Sequence, residues 1–524
     1  MLDNAANLLL TVSLLAAAFE FPANFAIRYM IPGTAIGVLV GDLLYFWMAF
    51  RLARRTGRED ITAMPLGLDT PSTLGMVFFV LGPAFTAARR TLPVDEAAQY
   101  AWHIGTWCLL LSGLFKFACA AASGWVRRML PRAGLLGSLA AIALVLISFL
   151  PLLEILQQPL VGFVALAIVL TALVARVRLP WRIPGALAAV LIAGTMYHLT
   201  RWTGILETMA EPMIDPRDAL LPYEWLSVFQ FPWIGAFGDT LKYLPIVIPF
   251  ALATVIGGID CTESAAAAGD EFDTGHVIAV EAFATVIASV CGGVIQSTPY
   301  IGHPAYKAMG GRAAYTLATA AFIGGAGLIG YFGYLYVVIP RLAVFPILVF
   351  VGLEITAQSF HATPKQHYPA VALACMPALA ALVLIFVDKL FGDPAVVASQ
   401  VHAGSVADLT LRADLQTVRA LANGFVLTSL LWASALAAMI DQRLRLAGAY
   451  FALAGVFALF GIIHSPLPGS PLFLPWRWVE GQVVAGLPPA AFRVMLQYAG
   501  GYAAVALLLW VLGWWRNRRG QATT

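Results

Sequence analysis

Charge is what this chain of 524 residues has least of: 31 Lys and Arg with 28 Asp and Glu make only 11% of it. A soluble domain carries roughly 25% charged residues, so a water-facing globule of this size is excluded. Cysteine is scarce too. Cys108, Cys119, Cys261, Cys291 and Cys375 sit in apolar runs without C-x-x-C spacing, which excludes a disulfide framework and a zinc cluster. There is no GxxxxGK[ST] loop for an ATP-driven motor and no HExxH for a metalloenzyme. Ser297 with His303 is the only faint nucleophile–base pairing. Neither an enzyme nor a bound cofactor or metal is therefore expected, and nothing calls for a nucleic-acid partner. Met1 to Asn7 lack a basic n-region, and the first apolar run leads into Glu20-Phe21-Pro22, so no cleavable signal is expected.

What remains is apolar: 60% hydrophobic residues and a mean hydropathy of +0.82. At about 20 residues per spanning helix, the length predicts an all-α polytopic membrane protein. Seven runs lie near 5–27, 31–51, 71–87, 99–122, 133–153, 159–176 and 184–200. A polar, aromatic connection from Arg201 to Lys242 follows and reads as an interfacial segment. Further runs from 243 to 515 complete a second series, interrupted by a long polar stretch at 389–417 that reads as a surface loop with a short amphipathic helix. The division expected is 1–200, 201–242 and 243–524. Arginines after even-numbered runs (Arg51, Arg54, Arg55, Arg58; Arg127, Arg128, Arg132; Arg176, Arg178, Arg182) and at the end (Arg516, Arg518, Arg519) predict cytoplasmic loops and termini; Arg89 and Arg90 run against the pattern. An inner (plasma) membrane location follows.

The stretch Gly257 to Gly311 concentrates the chemistry. Asp260 and Glu263 lie one helical turn apart inside an apolar run, with Thr262 and Ser264 beside them. Ionisable groups at membrane depth cost a few kcal/mol each and mark substrate or ion pathways. Beyond them comes Gln296-Ser297-Thr298-Pro299-Tyr300-Ile301-Gly302-His303-Pro304, a proline-broken segment of the kind that lines cavities. A similar string, Thr62-Ala63-Met64-Pro65-Leu66-Gly67-Leu68-Asp69-Thr70-Pro71, occupies the third element of the first series. Seven is odd, so two such series run through the bilayer in opposite senses, which is the inverted-repeat design. Pro71 and Pro304 then open half-helices whose unpaired N–H groups favour anionic or electron-rich substrate groups. The segments 61–64 and 294–300 could pair as short strands. Asp69 and His303 flank the cavity in this reading, although Asp69 before Thr70 also fits a helix cap and His303 could cap its own half-helix. Glu20 lines the cavity or ends the first helix. Lys116 reads as a snorkelling residue, and Asp270, Glu271, Asp273 and His276 read as solvated.

The segment from Glu263-Ser264-Ala265, through Gly292-Gly293-Val294-Ile295-Gln296-Ser297-Thr298-Pro299-Tyr300-Ile301-Gly302-His303, to Gly310-Gly311-Arg312 resembles the nucleobase–cation symporter family of xanthine, uracil and ascorbate permeases. It also resembles the adenine–guanine–hypoxanthine permeases. The resemblance implies about fourteen spans in two inverted seven-span repeats, with the third and tenth broken and preceded by short strands. It implies elevator-type alternating access, usually in a homodimer, with H⁺- or Na⁺-coupled uptake of a nucleobase-like solute. Glu263 matches the family's base-binding carboxylate. The second falls on Gly302, which has no side chain, so His303 is the substitute. The expected substrate wall is Glu263, Asp260, His303, Thr298, Tyr300, Asp69 and Thr70, and the coupling-ion candidates are Asp260, Glu263 and Glu20. The sulfate permease family shares this fold and supplies the alternative, a small-anion transporter. A receptor or channel without coupled transport is the remaining class.

Overall fold

The computed structural model describes residues 2–121, 132–177, 179–180, 183–204, 215–300, 303–308, 310–391, 409–465 and 489–522. It is helical almost throughout. Among the described residues, eight helices are long and apolar enough to cross a membrane, or ten if two bent pairs count as one span each. Four shorter apolar helices, Asn4–Ala16, Pro159–Val174, Thr274–Val290 and Leu444–Leu459, add to these. The chain is a polytopic membrane protein. Most of the 389–417 stretch lies outside the described residues; Leu409–Ala422 is a helix.

Packing divides the chain into two compact units, each drawn from two stretches: Met1–Arg127 with Leu150–Phe350, and Arg128–Phe149 with Val351–Thr524. In the second unit, helices Leu444–Leu459 and Pro489–Ala522 bury Tyr450, Ala454, Ala458, Ala499 and Tyr502 along a common seam. His464 closes it: Nε2 meets the Tyr502 hydroxyl at 2.6 Å and the ring stacks on Tyr498.

The first unit is built round a two-stranded antiparallel ribbon. Strand β1 (Leu66–Leu68) pairs with β2 (Ser297–Pro299) in the register Leu66↔Pro299, Gly67↔Thr298, Leu68↔Ser297. The Tyr300 N–H donates to the Pro65 carbonyl and the Asp69 N–H to the Gln296 carbonyl, extending the ladder at both ends. β1 therefore lies later than the 61–64 segment expected. The backbone of Thr62 is occupied elsewhere: its N–H donates to Asp270 Oδ2, and its carbonyl accepts from His303 Nε2. Pro65 has no N–H to offer, so pairing starts at its carbonyl.

A ribbon buried in a membrane protein must find partners for both outer edges. On the β1 side they come from helix Leu2–Phe19. Asn4 Oδ1 accepts from the Leu68 N–H at 2.8 Å, while Asn4 Nδ2 donates to Leu66 O and Asn7 Nδ2 to Leu68 O. On the β2 side, Lys116 Nζ donates to the Ser297 carbonyl at 3.1 Å, and Cys261 Sγ to the Pro299 carbonyl. Two asparagines thus act as an extra strand.

Close helix packing holds this frame. Gly33, Gly37 and Gly41 form one stripe of helix Ile31–Thr56, laid against helix Thr274–Val290 and the turn after it. A Cβ at Gly37 would lie 2.5 Å from the Ala288 Cβ. Small residues at four-residue spacing let backbones approach this closely, as in membrane helix pairs. Helix Val94–Ala121 packs on the opposite side, where Trp102 donates through Nε1 to the Gly292 carbonyl at 2.7 Å. From residue 215 the 201–242 connection runs mainly as short 3₁₀ turns that bury Trp225 and Trp233. Trp107 Nε1 donates to the Trp233 carbonyl.

Candidate functional site

The ribbon ends in two different polar clusters. At the Leu68/Ser297 end begins the span Thr70–Ala88. Asp69 is its N-cap, with Oδ2 accepting from the Ser72 N–H at 2.8 Å and Pro71 in the first turn. The Ser72 and Thr73 hydroxyls donate back to the Asp69 carbonyl. The positive end of this helix is therefore already taken up by a carboxylate. Opposite it, Ser112 Oγ donates to Gln296 Oε1 at 2.7 Å. Ser72, Ser112 and Gln296, with apolar Met76, Leu109 and Phe250, line a cavity of ≈ 20 Å³. That is room for about one water.

One turn beyond Ser112, on the same helix face, stands Lys116. Its Nζ lies 2.7 Å from Glu281 Oε1, and both side chains are 0% exposed. Besides the Ser297 carbonyl, Nζ reaches Thr285 Oγ1 at 3.5 Å. Beyond this ion pair, Glu281 has the Thr254 hydroxyl beside it, which donates to the Ala251 carbonyl, and the buried Ser297 hydroxyl has no partner. Asp69 is near enough to feel the Lys116 charge.

At the other end, Asp270 is fully buried and gathers cations. Lys307 Nζ lies 2.5 Å from Oδ1 and Arg58 Nη2 at 3.4 Å, while His303 Nε2 is 3.4 Å from Oδ2. Arg58 also holds Asp60 through two hydrogen bonds of 2.8 and 2.6 Å and donates to the Gly269 carbonyl. Asp60 is exposed, and Arg58 beside it holds its carboxyl down at about 2. Asp273 caps helix Thr274–Val290 by accepting from the His276 N–H, which holds its carboxyl below the usual range.

The expected site residues separate on this frame. Asp69 and Thr70 start the span beside the cavity, in the capping role. Thr298 is half-buried in the ribbon, opposite Gly67. Tyr300 is 41% exposed. His303 is buried but belongs to the Asp270 cluster, away from the Gln296 cavity; the Thr62 carbonyl places the proton on Nε2. Glu20 follows the last residue of helix Leu2–Phe19 at φ 57 and is exposed; it ends the helix. Asp260 and Glu263 lie on helix Leu244–Ala267, but their side chains are outside the described residues, as is all of Gly302.

Two readings are corrected. Lys116 does not snorkel, since it is fully enclosed and ion-paired. Asp270 is not solvated but is the buried centre of its cluster. The partner of Lys116, Glu281, carried a signal that was available: each is the lone Asp, Glu, Lys or Arg in an apolar run of spanning length, the pattern that marks a functional position at membrane depth. Asp42 is a third carboxylate of this kind, buried on helix Ile31–Thr56 beside the backbone of Leu66.

No family model matches the sequence, and no curated protein does. Among solved structures, the chain is similar to the transmembrane domain of a cyanobacterium bicarbonate transporter, BicA, at 17% identity and a TM-score of 0.43; the match covers 74% of this chain and 96% of that one. It is also similar to SLC26A9, at 12% identity and a TM-score of 0.45, over 73% of this chain and 60% of that one. Likeness at this level says nothing about substrate.

Proposed function

We propose that this protein is a secondary transporter for a small inorganic or carboxylate anion, moved by alternating access around the β1–β2 ribbon. The observation that carries the reading is a fully buried lysine, Lys116, which donates to the carbonyl of Ser297, the residue next to Gln296 in the wall of a water-sized cavity. A cation enclosed at membrane depth is expensive and is kept where it meets an ion or substrate. The cavity size favours a small ion over a ring: pockets for organic ligands enclose about 300–1,000 Å³, against ≈ 20 Å³ here. The unpartnered Ser297 hydroxyl supplies a neutral donor beside such an ion, whereas the Ser72 and Ser112 hydroxyls would have to turn from the Asp69 carbonyl and Gln296 to do so.

Two inverted repeats, each contributing one strand and one half-helix, fit the antiparallel pairing of the ribbon. A homodimer, an elevator motion, H⁺ or Na⁺ coupling and cytoplasmic termini in the plasma membrane complete the proposal. The second reading is a nucleobase symporter, favoured by the sequence around Glu263.

Thermal melting of the purified protein distinguishes the two. A ligand that binds the folded state raises its melting temperature with the logarithm of its excess over Kd. Nitrate, chloride or sulfate should stabilise wild type, and Ser112→Val should weaken that shift about tenfold in concentration. Stabilisation by xanthine, uracil or hypoxanthine alone, lost in Glu263→Gln, would replace the anion reading with the nucleobase one.

A further inference from the structure

The ion pair between Lys116 and Glu281 is built unlike a structural one. Buried pairs that only stabilise surround the carboxylate with donors, because its remaining lone pairs must be satisfied. Here Glu281 approaches one cation at 2.7 Å, and the Thr254 hydroxyl beside it donates to the Ala251 carbonyl. Thr254 and the backbone of Gly258 lie on its other side. Lys116 in turn sits on a flexible four-carbon stem between Glu281 and the chain at Gln296-Ser297. The Ser297 hydroxyl beside it is 1% exposed and has no partner.

We propose that Lys116 and Glu281 form a proton-operated latch in which protonation of Glu281 frees the Lys116 ammonium to hold a monovalent anion beside Gln296 and Ser297, so that one proton and one anion cross together. The inference rests on the anion reading above and adds the coupling ion, its acceptor and the stoichiometry.

The charge balance is what makes the latch work. In the empty state, Lys116 and Glu281 cancel. When a proton bonds to a Glu281 carboxylate oxygen, Lys116 keeps its charge and the anion cancels it. Either loaded or empty, the pair carries no net charge, so neither state leaves a lone ion buried. Half-loaded states do: an anion without the proton faces Glu281, and a proton without the anion strands Lys116. Coupling follows from the cost of those two states.

The other ionisable groups around the pair do not replace it. Asp69 is fixed as a helix cap and contributes the same charge to both states. Tyr45 donates its hydroxyl to the Val277 carbonyl at 3.1 Å, and Cys261 is occupied with Pro299. Helix Leu244–Ala267 also carries Asp260 and Glu263.

Anion-induced melting shifts with nitrate and chloride from pH 5.5 to 8.5 test the latch. Wild-type affinity should fall about tenfold per pH unit above the titration of Glu281. Glu281→Gln should bind the anion at every pH without that slope. The double variant Lys116→Met/Glu281→Gln, which leaves no charge of the pair behind, should give no anion shift at any pH. A wild-type pH slope retained in Glu281→Gln, or an anion shift retained in the double variant, overturns the latch and leaves the anion reading standing. No response of wild type to nitrate, chloride or sulfate at any pH overturns the anion reading itself. Should Glu281→Gln not fold, reconstituted wild type decides: one proton should enter per nitrate, unaffected by an imposed membrane potential. Potential-driven nitrate uptake without proton entry rejects the latch.

Discussion

The two ends of the ribbon hold their charges in opposite ways. At the Ser297 end, one cation and one anion are sealed together, and beyond Lys116 the carboxylate has only the Thr254 hydroxyl beside it. At the Thr62 end, Asp270 is buried but receives a backbone N–H and the charges of Lys307 and Arg58, and the cluster opens to solvent through Arg58 and Asp60. The first arrangement changes state at the cost of one proton. The second is over-determined, with several donors per carboxylate, and reads as a clamp that fixes where β1 enters the protein and where the half-helix His303–Ala308 begins. A buried charge is therefore a functional marker when it is under-satisfied and a structural one when it is saturated.

Breaking each end should show that difference in size. Lys116→Met alone strands a buried carboxylate and should cost about 3–5 kcal/mol in detergent unfolding, most of it recovered in Lys116→Met/Glu281→Gln. No recovery in the double variant would mean that the pair is a structural support. Asp270→Asn keeps the shape of the clamp but weakens its charge-assisted bonds, at a cost of about 2 kcal/mol. Asn4→Ala uncovers the Leu68 N–H and the Leu66 carbonyl on the β1 edge and should cost about 1–3 kcal/mol, visible also as faster hydrogen exchange at Leu68. The smallest effect is at the exposed rim. Asp60→Asn should leave stability unchanged at neutral pH within error, because exposed ion pairs contribute little and are screened. Since Arg58 holds Asp60 at about 2, its contribution is present above pH ~4 and is lost as the pH falls through about 2. A salt-insensitive loss at pH 5 would contradict that assignment.

Much of this frame was legible in the sequence. The low charge and long apolar runs implied a polytopic membrane protein, and the two Pro-Gly-Pro strings marked the segments that meet in the ribbon. Proline and glycine act on the backbone locally, so they can be read without the fold. The Asp69-Thr70-Pro71 cap was visible for the same reason. What could not be read was pairing at a distance. Lys116 and Glu281 are 165 residues apart in number, and nothing local to either shows that the other faces it. Asp270 looked solvated because Asp270, Glu271 and Asp273 stand together in a short polar turn; only the return of Arg58 and Lys307 to that point buries one of the three. His303 stands out in 257–311 as an ionisable residue beside a proline, but its contacts with Thr62 and Asp270 depend on the fold.

The central claim is that an anion, and not a nucleobase, crosses beside Lys116. Its most direct test is uptake into proteoliposomes under an imposed inward proton gradient, with labelled nitrate and labelled hypoxanthine compared in wild type and in Lys116→Met/Glu281→Gln. Gradient-driven accumulation of nitrate by wild type alone, with hypoxanthine left outside, is the predicted result. Accumulation of hypoxanthine without nitrate would contradict the claim.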